Sequence, residues 1–193
     1  MGIIKKINCL VFSVARSDFG ILKNIIISLE RSKFFNSKLV ITGAHFSKIF
    51  GKTLNEINEV KIKKKIEIRL NYNYQKNNSE TNIFTNLTIE TEKLLLKLKP
   101  RFIIILGDRF EALSVALTAF RNDVPIVHFC GGSDTMGSKD DKYRYLISKI
   151  SDLHLVETEH HKKRLYENDI KKNIHVIGAP ALENNNKIKF LKK

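Results

Sequence analysis

Two loops near the middle of the chain combine residues that can move protons with glycines that allow close backbone approach. The first, GDR at 107–109, follows the apolar run Phe102–Leu106. The second, HFCGGSD at 128–134, closes the apolar run Pro125–Phe129. Each run is typical of a buried strand, and the residues between them have helical spacing. Because ligands of open parallel sheets bind at the carboxyl ends of strands, both loops lie where a site is expected.

Asp108 has two interpretations from the residues alone. It directly precedes a predicted helix, so its carboxylate can simply cap that helix. It also stands at the tip of the most apolar strand, where it can act as a catalytic carboxylate. Burial and the adjacent Arg109 would then tune its pKa.

The pair Gly131-Gly132 is also open to two interpretations. Glycine accepts positive φ angles and lets the backbone approach a ligand closely, which suits a binding site at a strand end. The alternative is a tight turn, with His128 as a core histidine.

Charged residues near other strand ends add candidates. Arg16 follows the first predicted strand and precedes a helix, a position that suits an anionic group such as a diphosphate. The alternative is an ion pair with Asp18.

Asp140 and Arg144 are four residues apart on a predicted helix and therefore share a face. Without further context, that pair is a surface ion pair of small energetic value.

Strand and helix patterns alternate along the chain, which predicts an α/β doubly wound parallel sheet of Rossmann-like type. No GxGxxG motif is present, so a nicotinamide or flavin cofactor has no support. The predicted strands are Ile7–Val14, Lys38–Thr42, Lys65–Leu70, Phe102–Leu106, Pro125–Phe129, Leu153–Val156 and Asn173–Ile177. The predicted helices are Phe19–Ser32, short pieces within Phe46–Val60, Ser79–Leu98, Arg109–Arg121, Lys139–Ile150 and Glu159–Asn168, and Asn71–Asn78 is expected to be a mobile loop.

The net charge of +14 raises the question of a polyanionic partner. The lysines are scattered, with one short run at 63–65 and a basic tail at 187–193, and neither run is interleaved with aromatic residues. This distribution favours a lysine-rich composition and a solvated surface over a binding patch. We therefore expect neither nucleic acid nor a membrane as a partner.

The two cysteines, Cys9 and Cys130, form neither a disulfide framework nor a zinc motif. We expect a reducing, cytoplasmic location and no metal. No stretch approaches the ~20 apolar residues of a membrane span, and the N-terminal residues lack a cleavable signal pattern.

A series of short motifs then occurs in one order along nearly the whole chain. The motifs are RSDFG, TGAHFSKIFGKTLNEI, LGDRFEAL, PIVHFCGG, Gly137 with Asp140-Asp141 and Arg144, ISKISDLHLVETEHHKKRL, and VIGAPALEN. Together they resemble the UDP-N-acetylglucosamine 2-epimerase family, in its hydrolysing branch. The GDRFE and HxxGG forms are the features that resemble that branch rather than the non-hydrolysing one.

The resemblance implies two Rossmann-like domains of the GT-B type with the active site in the cleft between them. It implies that a base removes the C2 proton of a UDP-sugar while UDP leaves C1. Water then adds to the glycal and gives a free sugar with inverted C2. That sugar would be N-acetylmannosamine, or a related 2,4-diacetamido sugar, for sialic-acid-like nonulosonates. No metal, redox group or other cofactor is implied.

The resemblance also assigns residues. Asp108 and Asp140 would be two of three catalytic acids, Arg16 would contact the diphosphate and Arg144 would support the site. The further expected substrate-binding residues are His45, Arg109, Gly131, Gly132 and Ser133.

The chain departs from the family pattern at the Gly-Gly loop. The third acid, a glutamate directly after the two glycines, is Ser133 here. Cys130 stands in place of the histidine before the glycines, and Tyr145 in place of the histidine after Arg144. Asp134 is adjacent to the vacant position and is a candidate replacement.

The last departure concerns domain organisation. Residues 1–180 are expected to form the Rossmann-like domain and 181–193 a basic tail, with the second domain absent from this polypeptide. A split or frame-shifted gene would produce this pattern, and we expect little or no epimerase activity from this polypeptide alone. The alternative is a non-catalytic binding or interaction module, or an N-terminal subunit that pairs with a separate C-terminal-domain chain or a second copy.

Overall fold

The fold of the chain is a parallel sheet between two layers of helices. The computed structural model describes residues 5–47, 51, 53–70, 79–135 and 137–182. In these residues seven parallel strands lie in the order β3-β2-β1-β4-β5-β6-β7. The strands are β1 (Ile7–Ser13), β2 (Phe35–Ile41), β3 (Lys65–Glu67), β4 (Phe102–Leu106), β5 (Ile126–Phe129), β6 (Leu153–Val156) and β7 (Ile174–Val176).

The helices connect successive strands, as the predicted alternation requires. They are α1 (Arg16–Arg31), α2 (Thr53–Glu59), α3 (Ser79–Leu98), α4 (Phe110–Arg121), α5 (Lys139–Lys149) and α6 (Glu159–Glu167). Short 3₁₀ turns occupy Gly43–Phe46 and Pro180–Leu182. The prediction of a doubly wound Rossmann-like sheet is confirmed.

The central strand β4 shows why the sheet needs cover on both faces. Its residues alternate between two apolar clusters, because successive side chains of a strand point to opposite faces. Ile103 and Ile105 pack in the cluster that includes residues of α3, α4 and α5. Ile104 and Leu106 pack in the cluster that includes residues of α1 and α2. A continuous apolar run is therefore the sequence signature of this doubly covered strand.

Helix α1 begins three residues earlier than its apolar spacing predicts. Asp18 explains the difference: its Oδ2 accepts hydrogen bonds from the backbone N–H groups of Val14 and Ala15, at 3.0 Å each. An acidic residue at the third helical position that bonds back to the N-cap satisfies donors left open at a helix start. Burial raises the pKa of Asp18 to about 6.

Some expectations concern residues outside the described ranges. The loop expected at Asn71–Asn78 and residues 183–193 of the basic tail expected at 181–193 are among them. Among the helices that the structure describes, none is long and apolar enough to cross a membrane.

Replacing a central core side chain should test the importance of the doubly covered strand. Ile103 is fully buried, so Ile103→Ala leaves a cavity and should lower the free energy of unfolding by about 2–5 kcal/mol. Leu96→Ala on the exposed side of α3 is the matched control, since Leu96 is 61% exposed. Chemical denaturation of both variants measures the effect, and equal losses would contradict this account of the core.

Candidate functional site

A buried arginine joins three segments at the carboxyl edge of the sheet. Arg144, on α5, is 6% exposed. Its Nη2 donates to Asp108 Oδ2 in the loop after β4, and its Nη1 donates to the Ser133 carbonyl oxygen at 2.8 Å. Nη1 also donates to Asp141 Oδ1 at 2.7 Å. The predicted loops after β4 and β5 therefore meet at one guanidinium group.

Asp108 is not the cap of α4. The N-cap is Arg109, which makes no side-chain capping hydrogen bond, and Asp108 is directed to Arg144 instead. The expected partner Arg109 lies along the first turn of α4, with its Nε 3.2 Å from Glu111 Oε2. The guanidinium that ion-pairs with Asp108 is therefore 36 residues away in the chain, not adjacent to it.

The expected pairing of Asp140 with Arg144 is replaced by a pairing with Asp141. Asp140 is exposed, and its backbone N–H donates to Ser138 Oγ at 3.1 Å. Asp141 Oδ1 accepts from both the N–H and the hydroxyl of Thr135, at 2.9 and 2.7 Å, which holds it toward Arg144. Desolvation acts to raise the pKa of Asp141, but the Thr135 hydrogen bonds lower it to about 2.

His128 is a core histidine that ties two strand ends to α5. Its Nε2 lies 2.9 Å from the Gly107 carbonyl oxygen, and its Nδ1 lies 3.0 Å from Ser148 Oγ. A carbonyl only accepts, so Nε2 must bear the proton and Nδ1 must accept from the serine hydroxyl. Burial lowers the pKa of His128 to about 4, which keeps the ring neutral.

Packing inside the protein requires glycine at position 132 and leaves little space at Gly131. Gly132 has φ +77, and a Cβ there would lie 2.3 Å from the His161 carbonyl oxygen. A Cβ on Gly131 would lie 3.0 Å from Ser148 Oγ. The backbone of this turn therefore packs closely against α6 and α5, whereas the sequence suggested a close approach to a ligand.

Ser133 has a carboxylate neighbour that the sequence motifs did not indicate. Its Oγ lies 3.4 Å from Glu157 Oε2, directly after β6. Burial first, and then this carboxylate, raise the pKa of Cys130 to about 12. In the sequence, only its position directly after a predicted strand could have identified Glu157 as a candidate site residue.

Asp134, the candidate replacement for the missing acid, is directed elsewhere. Its Oδ2 lies 3.1 Å from Nη1 of Arg164 on α6. This ion pair with α6 does not support Asp134 as the replacement for the missing acid.

Arg16 and His45 lie at the end of β1 and in the turn after β2. Arg16 is exposed, and its Nε contacts Glu56 Oε1 at 2.8 Å instead of the suggested partner Asp18. His45 is buried, with Nε2 2.9 Å from Ser13 Oγ and Nδ1 3.1 Å from Thr53 Oγ1. Burial lowers the pKa of His45 to about 4. Binding roles for both residues stay predictions.

A cavity of about 430 Å³ opens between α5 and α6 beside the Gly-Gly turn. Gly132, Ser133 and Arg144, three of the expected substrate-binding residues, form part of its wall together with Tyr145 and Arg164. The turn therefore borders an accessible space.

The parallel sheet, with acidic and basic groups at its carboxyl edge, places this chain in the class of α/β Rossmann-like domains whose ligands bind at strand ends. Residues 27–192 match the family described as UDP-N-acetylglucosamine 2-epimerase, and the chain belongs to that family. The resemblance drawn from the motifs is thereby confirmed.

Individual relatives agree with this assignment. GDP/UDP-N,N'-diacetylbacillosamine 2-epimerase (hydrolyzing) from Campylobacter jejuni is 36% identical over 96% of this chain and 48% of its own length. Polysialic acid biosynthesis protein P7 from Escherichia coli is 29% identical over 88% of this chain and 44% of its own length. The crystal structure of Methanocaldococcus jannaschii UDP-GlcNAc 2-epimerase with UDP-GlcNAc and UDP matches with a TM-score of 0.72 and 25% identity. That match covers 91% of this chain and 47% of the other. The chain spans about half the length of the relatives it matches.

A methyl group at Gly132 should damage the turn. The Cβ of Gly132→Ala would clash with the His161 backbone, and alanine is also strained at a positive φ. Each cause should lower the free energy of unfolding by about 1–3 kcal/mol. Gly137→Ala is the matched control, because φ there is +90 but its Cβ would meet open space. Thermal melting compares the two, and a loss no larger at Gly132 than at Gly137 would argue against the packing described.

The buried neutral His128 should make stability fall in mild acid. Its folded pKa lies below the unfolded value of ~6.5, so its stabilising contribution is complete above that pH and is lost as pH falls toward 4. The single-group effect is about 3 kcal/mol. His128→Gln should therefore lose less stability than wild type between pH 6.5 and 4 in denaturation curves. The exposed control His175→Gln should follow wild type, whereas identical profiles for all three would refute the assignment.

Proposed function

We propose that this chain forms one half of the active site of a hydrolysing UDP-sugar 2-epimerase. The observation that supports this most directly is the Arg144 centre, which holds the carboxylate of Asp108 at the carboxyl edge of the sheet with the Gly-Gly turn beside it. Family membership and the names of the relatives point to the same chemistry. The remaining half of the relatives' length corresponds to the second domain that the resemblance implies.

The reaction needs groups that remove a proton from C2 while UDP leaves C1 and that later return a proton to C2. A base takes the C2 proton, the C2–H electron pair forms the C1=C2 bond, and the C1–O bond breaks with its electrons leaving on UDP. Water then adds hydroxide to C1 and a proton to C2 from the opposite face. Carboxylates suit the proton transfers of both stages, and we place Asp108 and the exposed Asp140 among the groups that make them. Arg144 positions Asp108 and stays positively charged.

The substrate we propose is a UDP-2-acetamido sugar, with UDP and the C2 epimer as products. The Campylobacter jejuni relative is named for a 2,4-diacetamido sugar and the Escherichia coli relative for polysialic acid biosynthesis, so nonulosonate synthesis is the matching context. The exposed guanidinium of Arg16 at the start of α1 is the proposed diphosphate contact. The cysteines Cys9 and Cys130 are unpaired, in keeping with the cytoplasmic location that we propose.

A specific observation favours a second candidate function. Ser133 stands where the family motif has its third acid, so a non-catalytic subunit is the alternative. The two candidates differ in one measurable property, because only the first turns over a UDP-sugar once it is joined to the remaining half of a relative.

A hybrid enzyme should separate these functions. This chain replaces the matching half of the Campylobacter jejuni relative, and UDP release from UDP-N-acetylglucosamine and UDP-N,N'-diacetylbacillosamine is measured against the intact relative. We expect the hybrid to release UDP and the chain alone to release little or none. In the hybrid, Asp108→Asn should reduce the rate by ~10²–10⁴ because a proton-transfer group is lost.

The control for this substitution is Asp123→Asn, at an exposed residue with φ +54, a backbone conformation that asparagine tolerates. A hybrid that melts cooperatively and releases no UDP contradicts the epimerase proposal and favours the non-catalytic subunit. Equal rates for Asp108→Asn and the control would remove Asp108 from the mechanism.

A further inference from the structure

Glu157 is a carboxylate at the candidate site that the motif analysis did not identify. It follows β6 directly, so it lies at the same carboxyl edge as the loops after β4 and β5. Its side chain is 22% exposed, and its Oε2 lies 3.4 Å from Ser133 Oγ. A partly buried carboxylate therefore faces the residue at which the Gly-Gly turn lacks one.

The surroundings of Glu157 differ from those of Asp108. Asp108 is ion-paired with Arg144, whereas Glu157 contacts a hydroxyl and raises the pKa of the Cys130 thiol. Its other close neighbour is the His161 ring, whose Nδ1 is 3.6 Å from Oε2, too far for a hydrogen bond. Burial lowers the pKa of His161, so this ring is neutral at neutral pH.

Glu157 thus contacts a hydroxyl and a thiol, whereas Asp108 contacts a guanidinium. A carboxylate bound to a guanidinium must break an ion pair to take up a proton, whereas a carboxylate that accepts from a hydroxyl can keep this partner by becoming the donor once protonated. His161 Nδ1 is also buried without a hydrogen-bond partner, so this corner holds a polar atom available to a further group.

The backbone determines which carboxylate reaches the turn. Gly132 lies against the His161 backbone with no room for a side chain, so the turn and the first turn of α6 are in direct contact. Asp134 is ion-paired with Arg164 on α6. Among the residues that the structure describes, Glu157 is the acid in contact with Ser133.

We infer that Glu157 supplies the acid–base carboxylate at the Gly131-Gly132-Ser133 turn. This inference rests on the proposed epimerase function. In it, Glu157 accepts the C2 proton, the C2–H electron pair forms the C1=C2 bond, and UDP leaves with the C1–O electron pair. The carboxylic acid then gives its proton to solvent, and hydration proceeds from the opposite face.

The first measurement needs no turnover. Cys130 is alkylated with iodoacetamide across a pH series, and its peptide is followed by mass spectrometry, separately from that of the fully buried Cys9. The charged groups acting on Cys130 are Glu157, Arg144 and Asp108. Glu157→Gln should shift the thiol profile to lower pH. Glu159→Gln should not, since Glu159 is two residues further along the chain, at the start of α6, and its side chain is 78% exposed.

The second measurement is UDP release by the hybrid enzyme. Glu157→Gln should lower the rate by ~10²–10⁴ and remove one limb of the pH–rate profile, while Glu159→Gln stays at the parent rate. Adding Ser133→Glu to the Glu157→Gln variant should raise the rate of UDP release at least tenfold, because it returns a carboxylate to the same turn. A purely structural role for Glu157 predicts no such rescue.

The outcomes are distinguishable. An unchanged thiol profile overturns the placement of Glu157 whatever the activity. A shifted profile with an unchanged rate overturns its role in proton transfer and leaves the epimerase proposal standing. A folded parent hybrid that releases no UDP overturns the epimerase proposal together with the catalytic step assigned to Glu157.

Discussion

The buried guanidinium of Arg144 is the interaction on which the candidate site depends. Removing a positive charge from water costs several kcal/mol unless acceptors surround it. Here the acceptors are the Asp108 carboxylate, the Ser133 carbonyl and the Asp141 carboxylate. They come from three segments, so Arg144 can be buried only when the loops after β4 and β5 and the start of α5 are assembled together. The position of Asp108 is therefore a property of the whole sheet edge.

His128 and the glycine turn also position this edge of the sheet, through hydrogen bonds and close packing respectively. His128 links the end of β4 to α5 through its two ring nitrogens, and this geometry requires the neutral ring. Gly132 allows α6 to approach the turn within a distance that excludes any Cβ. This close packing brings Glu157, at the end of β6, beside Ser133. A loop lacking its own acid thereby acquires a carboxylate from the neighbouring strand.

Much of the fold follows from patterns that are local in the chain. Phe102–Leu106 and Leu153–Val156 were predicted with their observed bounds, because continuous apolar runs between turn residues mark buried parallel strands. The start of α1 was predicted three residues late, since its first turn is stabilised by the Asp18 carboxylate and not by apolar spacing. At the site, Asp108 and Arg144 were recognised as candidates, but Arg109 and Asp140 were given contacts that belong to Arg144 and Asp141.

The sequence by itself determined the alternation of strands and helices, the edge at which polar residues gather and the family to which their motifs belong. These properties depend on residue spacing within single elements. Only the tertiary structure decided that Arg144 binds Asp108, 36 residues away, and that Glu157 lies against Ser133, 24 residues away. Such contacts join different strand ends, and their distances depend on how closely the backbone packs at Gly132. No periodicity within one segment contains that information.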